Sequence, residues 1–103
     1  MYTGLSLCVR FEWDTPKSEA NIRKHGVSFD EAREVFDDPL HIALLDKRFD
    51  YFQERWITIG ATRRRRIVVA ANLYFDDEDE EVVRVISARE ATTKEHRQYE
   101  ADE

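Results

Sequence analysis

Three stretches decide the fold: Trp56-Ile57-Thr58-Ile59-Gly60-Ala61, then Ile67-Val68-Val69-Ala70-Ala71-Asn72-Leu73-Tyr74-Phe75, then Val82-Val83-Arg84-Val85-Ile86-Ser87-Ala88. Each is rich in β-branched and apolar residues and reads as a strand. The segments between them are short. One holds four arginines, Arg63, Arg64, Arg65 and Arg66. The other is a run of six acids, Asp76, Asp77, Glu78, Asp79, Glu80 and Glu81. Short connections between consecutive strands make hairpins, so the three predict an antiparallel meander with charged tips.

Working outward toward the N-terminus, residues 40–45 form a short apolar run and a fourth candidate strand, and residues 46–53 read as a charged, aromatic loop. Leu5, Leu7, Val9, Phe11 and Trp13 alternate with Ser6, Cys8, Arg10 and Glu12, the period of two of a half-buried strand. That strand stops at Asp14-Thr15-Pro16. Pro16 suits a first helical position, with Thr15 as its cap, and the helix runs to about His25 before Gly26. Ser28, with Glu31 three residues on, opens a second helix that carries Phe29, Ala32, Val35 and Phe36 on one face. Asp38-Pro39 ends it, because the residue before proline avoids the helical region. Toward the C-terminus, Thr92 and Glu95 form another capping box and open a last helix. The order β-α-α-β-β-β-β-α predicts an α+β fold, an antiparallel sheet with two N-terminal helices and one C-terminal helix packed on it.

The 103 residues correspond to one domain spanning 1–103. The charged share of 37%, against about 25% in ordinary soluble domains, implies a heavily charged surface. The net charge of −6 argues at first against a nucleic-acid ligand. Setting aside the six-acid run, however, leaves 16 acidic residues facing 16 lysines and arginines, so a local basic face is allowed. Cys8 is the only cysteine, which removes an internal disulfide and a cysteine-based zinc site within one chain. No histidine or carboxylate spacing reads as a metal site, and no cofactor motif is present. With neither a secretory leader nor an apolar run of about 20 residues, the expectation is a cytoplasmic protein with no membrane contact.

Two longer motifs carry a family resemblance. The first is Phe11-Glu12-Trp13-Asp14, then Asn21-Ile22-Arg23-Lys24-His25-Gly26-Val27-Ser28-Phe29, Glu31-Ala32 and Val35-Phe36-Asp37-Asp38-Pro39. The second is Arg84-Val85-Ile86-Ser87-Ala88-Arg89, then Ala91-Thr92, Arg97 and Tyr99-Glu100. In order and spacing they resemble the BrnT toxins. The resemblance implies a RelE-like ribonuclease fold and RNA cleavage that arrests growth. It also implies a BrnA-like antitoxin with a ribbon-helix-helix domain, through which alone the pair reaches operator DNA. An antitoxin dimer would bring two toxins into a heterotetramer. Three features depart from the family pattern: four arginines stand where a glycine-containing turn is expected, the acidic run is longer than a tight hairpin needs, and His96 stands in a segment that usually reads more basic.

RNA is cut without metal when its 2′-hydroxyl attacks the adjacent phosphate and leaves a cyclic phosphate. That chemistry needs a base, an acid, and positive charge on the phosphate. Arginine suits the phosphate because its planar fork bonds two oxygens. Candidate catalytic residues are Arg84, Arg89, Arg97, Tyr99 and His96, and candidate RNA-binding residues are Arg63, Arg64, Arg65, Arg66 and Lys94. Strict alternation puts Arg84 and Arg89 on opposite faces of their strand, with Arg84 between Val82 and Ile86 on an apolar side. Each candidate has a structural alternative. For Arg84 it is a partner for an acid, for Arg97 a solvated face, for Tyr99 core packing, and for the arginine run a turn that blocks edge-to-edge aggregation. His25, at a helix C-terminus, reads as structural, and His41 as a satisfied core group.

Three functions fit these features. The first is a metal-independent endoribonuclease toxin. The second is an inactive interaction module that still binds a ribbon-helix-helix repressor. The third is a nucleic-acid-binding regulator that uses the arginine run.

Overall fold

The computed structural model describes residues 9–48 and 53–101. Its strands are β1 (Val9–Glu12), β2 (Ile42–Leu45), β3 (Trp56–Ala61), β4 (Ile67–Asp77) and β5 (Glu80–Glu90). Its helices are α1 (Thr15–His25), α2 (Phe29–Arg33) and α3 (Thr93–Ala101), and a 3-10 turn at Glu34–Asp37 continues α2. The first residues of the expected N-terminal strand, 5–8, and part of the expected loop, 49–52, lie outside the described residues.

The strands form one sheet in the order β1-β5-β4-β3-β2. The meander is present: β3 pairs antiparallel with β4, β4 with β5, and β2 with β3. The sheet is nevertheless mixed and not antiparallel throughout, because β1 runs parallel to β5, with Val9 opposite Glu81 and Glu12 opposite Arg84. Parallel partners need a long crossover, and here about two-thirds of the chain separates them. Alternation identifies β1 as a strand but carries no information about so distant a partner.

Local signals fix the helix ends. Asp14, one residue before the expected Thr15, caps α1 by accepting from the Lys17 amide at 3.3 Å. Thr15 and Pro16 then occupy the first turn, where proline costs no hydrogen bond. Gly26 closes α1 at φ 73°, a left-handed conformation that side chains resist. Ser28 caps α2 through the Glu31 amide at 3.0 Å, but Glu31 does not reach back, so only half of the expected capping box forms. At α3 the box is complete: the Glu95 amide donates to Thr92 Oγ1 at 3.2 Å and the Thr92 amide donates to Glu95 Oε1 at 2.9 Å.

The two faces of the sheet are covered unequally. Val27, Phe29, Ala32 and Val35 from α1–α2 and the following turn bury Val68, Ala70, Val85 and Ala88 in the main core. The approach is close enough at Gly60 that a Cβ there would lie 2.8 Å from Val35 Cγ1, so the 3-10 turn sits directly on β3. On the other face Tyr99 of α3 joins Ile59 and Val69 in a smaller cluster, with Ile42, Ile57, Ala61, Ile67 and Ala91 around it. Among the described residues, no helix is long and apolar enough to cross a membrane.

Candidate functional site

β5 contains an irregularity that sequence alternation cannot show. Its register with β4 passes from Ala71 opposite Ser87 to Asn72 opposite Val85, so Ile86 is an extra residue. Such a bulge shifts the phase of every side chain beyond it. Arg84 is opposite Leu73 and Arg89 is opposite Val69, four residues apart in β4. Cross-strand partners share a face, so Arg84 and Arg89 lie on the same face, about 13 Å apart along the strand. That is the face of Val69, away from the main core. The expectation of opposite faces is thereby corrected, and so is the apolar setting expected for Arg84. Its side chain is half exposed and paired with Glu12 at 2.6 and 2.7 Å.

Arg89 is held more firmly. Its two terminal nitrogens donate to the two oxygens of Glu95 at 2.7 and 2.8 Å. The Glu95 carboxylate therefore both caps α3 and clamps Arg89. The Arg89 hydrogen bonds outweigh the effect of burial and, with the Thr92 amide, bring the Glu95 carboxyl down to about 2. Glu95 in turn raises Arg89, while burial and the nearby charge of Arg48 work against it. With 41% of its side chain exposed, Arg89 is ordered yet still open to a ligand.

Two shallow grooves of about 250 and 230 Å³ meet at Arg89 and share Arg48 and Ile57. The first also takes in Lys47, Glu95 and Gln98. The second takes in His25, Val69, Ala71 and Ser87. His25 comes from a helix on the covered side and reaches this groove because α1 is pinned to the edge of β5 beyond the end of β1. Asn21 Nδ2 donates to the carbonyls of Ala88 and Val27, both at 2.8 Å, and the Ala88 amide donates back to Asn21 Oδ1 at 3.4 Å. Arg48 is oriented by Asp46, its Nε and Nη2 donating to the two carboxylate oxygens at 3.0 Å each. The result is an apolar floor ringed by Lys47, an imidazole and two guanidinium groups, each guanidinium paired with a carboxylate, which leaves an excess of positive charge for an anion and a group for proton transfer. Sequence reasoning missed Arg48 inside a segment read as loop and favoured a structural over a catalytic role for His25. The one available signal was their residue type.

The remaining candidates lie elsewhere. Tyr99 is buried and its hydroxyl donates to Asp38 Oδ2 at 2.6 Å. Asp38 also accepts from the Ala61 and Leu40 amides. Burial pushes the Asp38 carboxyl up, but these hydrogen bonds bring it below its ordinary value. Lys94, His96 and Arg97 are exposed on α3 and line neither groove. His41 is half-buried, with Nδ1 2.7 Å from the Asp38 carbonyl.

The arginine run is a tight turn, with Arg65 in the left-handed conformation at φ 64° where glycine was expected. Arg66 is drawn inward: it pairs with Glu31, donates to Glu90 at 2.9 Å and to the Gly26 carbonyl at 3.0 Å. Arg64 approaches Glu31 at 3.7 Å and Arg63 approaches Glu34 at 3.8 Å. Hydrogen bonding from Arg66 and Thr62 outweighs burial and lowers the Glu31 carboxyl. The acidic run is likewise a tight hairpin and not a long tip: Asp76, Asp77, Glu80 and Glu81 lie in strands, and only Glu78 and Asp79 form the turn.

Comparison with known proteins matches this arrangement to a described family. The model of the BrnT ribonuclease toxin of type II toxin-antitoxin systems matches residues 13–95. The chain belongs to the BrnT family. By family it is a ribonuclease toxin of a type II toxin-antitoxin system, with an RNA target and an antitoxin partner. Among solved structures it is similar to the Brucella abortus ribonuclease toxin BrnT, at 25% identity and a TM-score of 0.55, over 82% of this chain and 99% of that one. No curated protein matches the chain.

Proposed function

We propose that this BrnT-family chain is a metal-independent endoribonuclease of RelE-like type, and that it binds and cuts RNA on the open face of the sheet around Arg89. In this reaction the substrate 2′-oxygen forms a bond to the neighbouring phosphorus as the bond from phosphorus to the 5′-oxygen breaks. The products are a 2′,3′-cyclic phosphate and a free 5′-hydroxyl. One group takes the 2′-proton and another supplies the proton of the leaving oxygen.

The observation that carries the proposal is the bulge at Ile86, which brings Arg84 and Arg89 to the face that α1 and α2 leave open. Arg89 has the better claim to the phosphate, since Glu95 orients it and a fixed fork loses little on binding. Arg48 adds charge in the same groove, and His25 is the residue best placed there to move a proton. Tyr99, held by Asp38, positions α3 and through it Glu95. Arg84, His96, Arg97 and Lys94 are left to contact flanking RNA.

The partner we propose is a BrnA-like antitoxin with a ribbon-helix-helix domain, whose dimer holds two toxins and carries the complex to operator DNA. We place the pair in the cytoplasm.

The test is controlled expression in bacteria, with and without the adjacent small open reading frame, following growth and total RNA, together with cleavage by purified protein in excess chelator. Growth arrest with RNA loss, reversed by the neighbour, abolished by Arg89→Ala and insensitive to chelator is the expected result. Intact RNA and normal growth with folded protein present would overturn the proposal, and so would an Arg89→Ala variant that cuts as well as the parent.

A further inference from the structure

A third cavity lies further along β5, in the notch where β1 ends, α1 begins and β5 bulges. It measures about 340 Å³ and is lined by Glu12, Trp13, Asp14, Lys17, Arg84 and Ile86, with Val85. Its charge balance differs from that of the Arg89 grooves, where Lys47, Arg48 and Arg89 outnumber Asp46 and Glu95. Two carboxylates face two cations, so it repels a bare phosphate about as much as it attracts one. Arg84 is already neutralised by Glu12. The Lys17 ammonium has no ion-pair partner among the described residues, and Asp14 uses one oxygen, Oδ1, on the Lys17 amide. Trp13 packs on the main core and also lines the notch. An aromatic wall with donors and acceptors of both signs at its rim suits a flat, neutral heterocycle with a polar edge. Arg84 and Ile86 lead directly along β5 to Ser87 and Arg89, so an RNA strand on the open face passes the notch.

We infer that this notch is a subsite for an unstacked nucleobase, with Trp13 as its stacking wall and Lys17 and Asp14 at its polar edge. This rests on the RNA-cleavage proposal and adds a binding residue class to it.

The test uses 2′-O-methyl oligoadenylate, which binds but cannot be cut. In a Trp56→Phe variant, Trp13 is the sole tryptophan. Saturable quenching of its fluorescence is expected, with affinity about tenfold weaker after Lys17→Glu. In the wild-type protein, a 2′-O-methyl oligomer carrying 5-iodouridine should crosslink to the tryptic peptide of residues 11–17, which keeps the test valid if Trp56→Phe misfolds. Binding seen by anisotropy without quenching or crosslinking at Trp13 would overturn the subsite and leave the Arg89 proposal standing. Failure of the oligomer to bind at all, together with intact substrate RNA, would overturn both.

Discussion

The two faces of the sheet use the same strands for opposite ends. On the face under α1 and α2, β4 and β5 present Val68, Ala70, Val85 and Ala88 to a core whose members are 0–2% exposed. On the other face the same strands present Val69, Ala71, Ser87 and Arg89, and α3 covers only one end. The covered face is where apolar burial stabilises the molecule. The open face retains an apolar floor but surrounds it with Arg48, Arg89 and His25, and the two arginines are held by Asp46 and Glu95 in partly exposed ion pairs that contribute little to folding. A single inserted residue at Ile86 makes this division possible, because it moves Arg84 into phase with Arg89.

Paired substitutions, one on each face, are the sharpest way to break this contrast. Phe29→Ala should cost about 3–5 kcal/mol, read as a large fall in the urea midpoint. Arg89→Ala should cost at most about 1 kcal/mol of stability, since its ion pair is partly exposed, while cleavage falls about 10²–10³-fold. Equal unfolding of both variants would erase the distinction.

Glu31→Gln comes next. It leaves Arg66 without its main partner beside a carboxylate site that is 7% exposed, and a loss of about 3 kcal/mol is expected by denaturation. Cleavage by the folded fraction should not change, because Glu31 and Arg66 line neither groove.

A smaller effect is expected from pH. Glu95 titrates at about 2, and Glu31 and Asp38 are also lowered. A carboxylate depressed in the folded state contributes stability above its unfolded value of about 4.3 and loses it as pH falls through the folded value. Stability should therefore decline between about pH 4.5 and 2, and Glu95→Gln should flatten part of that slope in a denaturation series. An unchanged slope would mean that the Arg89–Glu95 clamp is not formed in solution.

Removing one cap with Thr92→Ala should cost about 1 kcal/mol. Least of all, Arg63→Ser with Arg64→Ser should lower stability by under about 1 kcal/mol and leave cleavage near the parent level. Loss of cleavage in that double variant would move the RNA site to the turn.

Much of this fold was legible from local signals. Gly26 ends α1, Asp38-Pro39 ends the second helical segment, and Thr92 with Glu95 opens α3, because each acts within a turn of its own position. The meander was legible from strand composition and short connections. The pairing of β1 with β5 was not, since it joins residues about seventy positions apart, and neither was the bulge at Ile86, which looks like any other strand residue. The site suffered from both gaps. Arg89 is a candidate in the sequence by its place at a strand end. Its neighbours are set by tertiary structure: the bulge turns Arg84 to the face of Arg89, Glu31 draws Arg66 inward, and Arg48 and His25 reach the groove only through packing.

The central claim is that RNA lies on the open face at Arg89. Amide chemical-shift mapping with an uncleavable 2′-O-methyl RNA tests it most directly. The predicted result is a contiguous set of shifts at Ile57, Val69, Ala71, Ser87 and Arg89, with Phe29 and Ala32 unmoved. Shifts confined to Arg63, Arg64 and Arg65, with Ser87 and Arg89 silent, would contradict it.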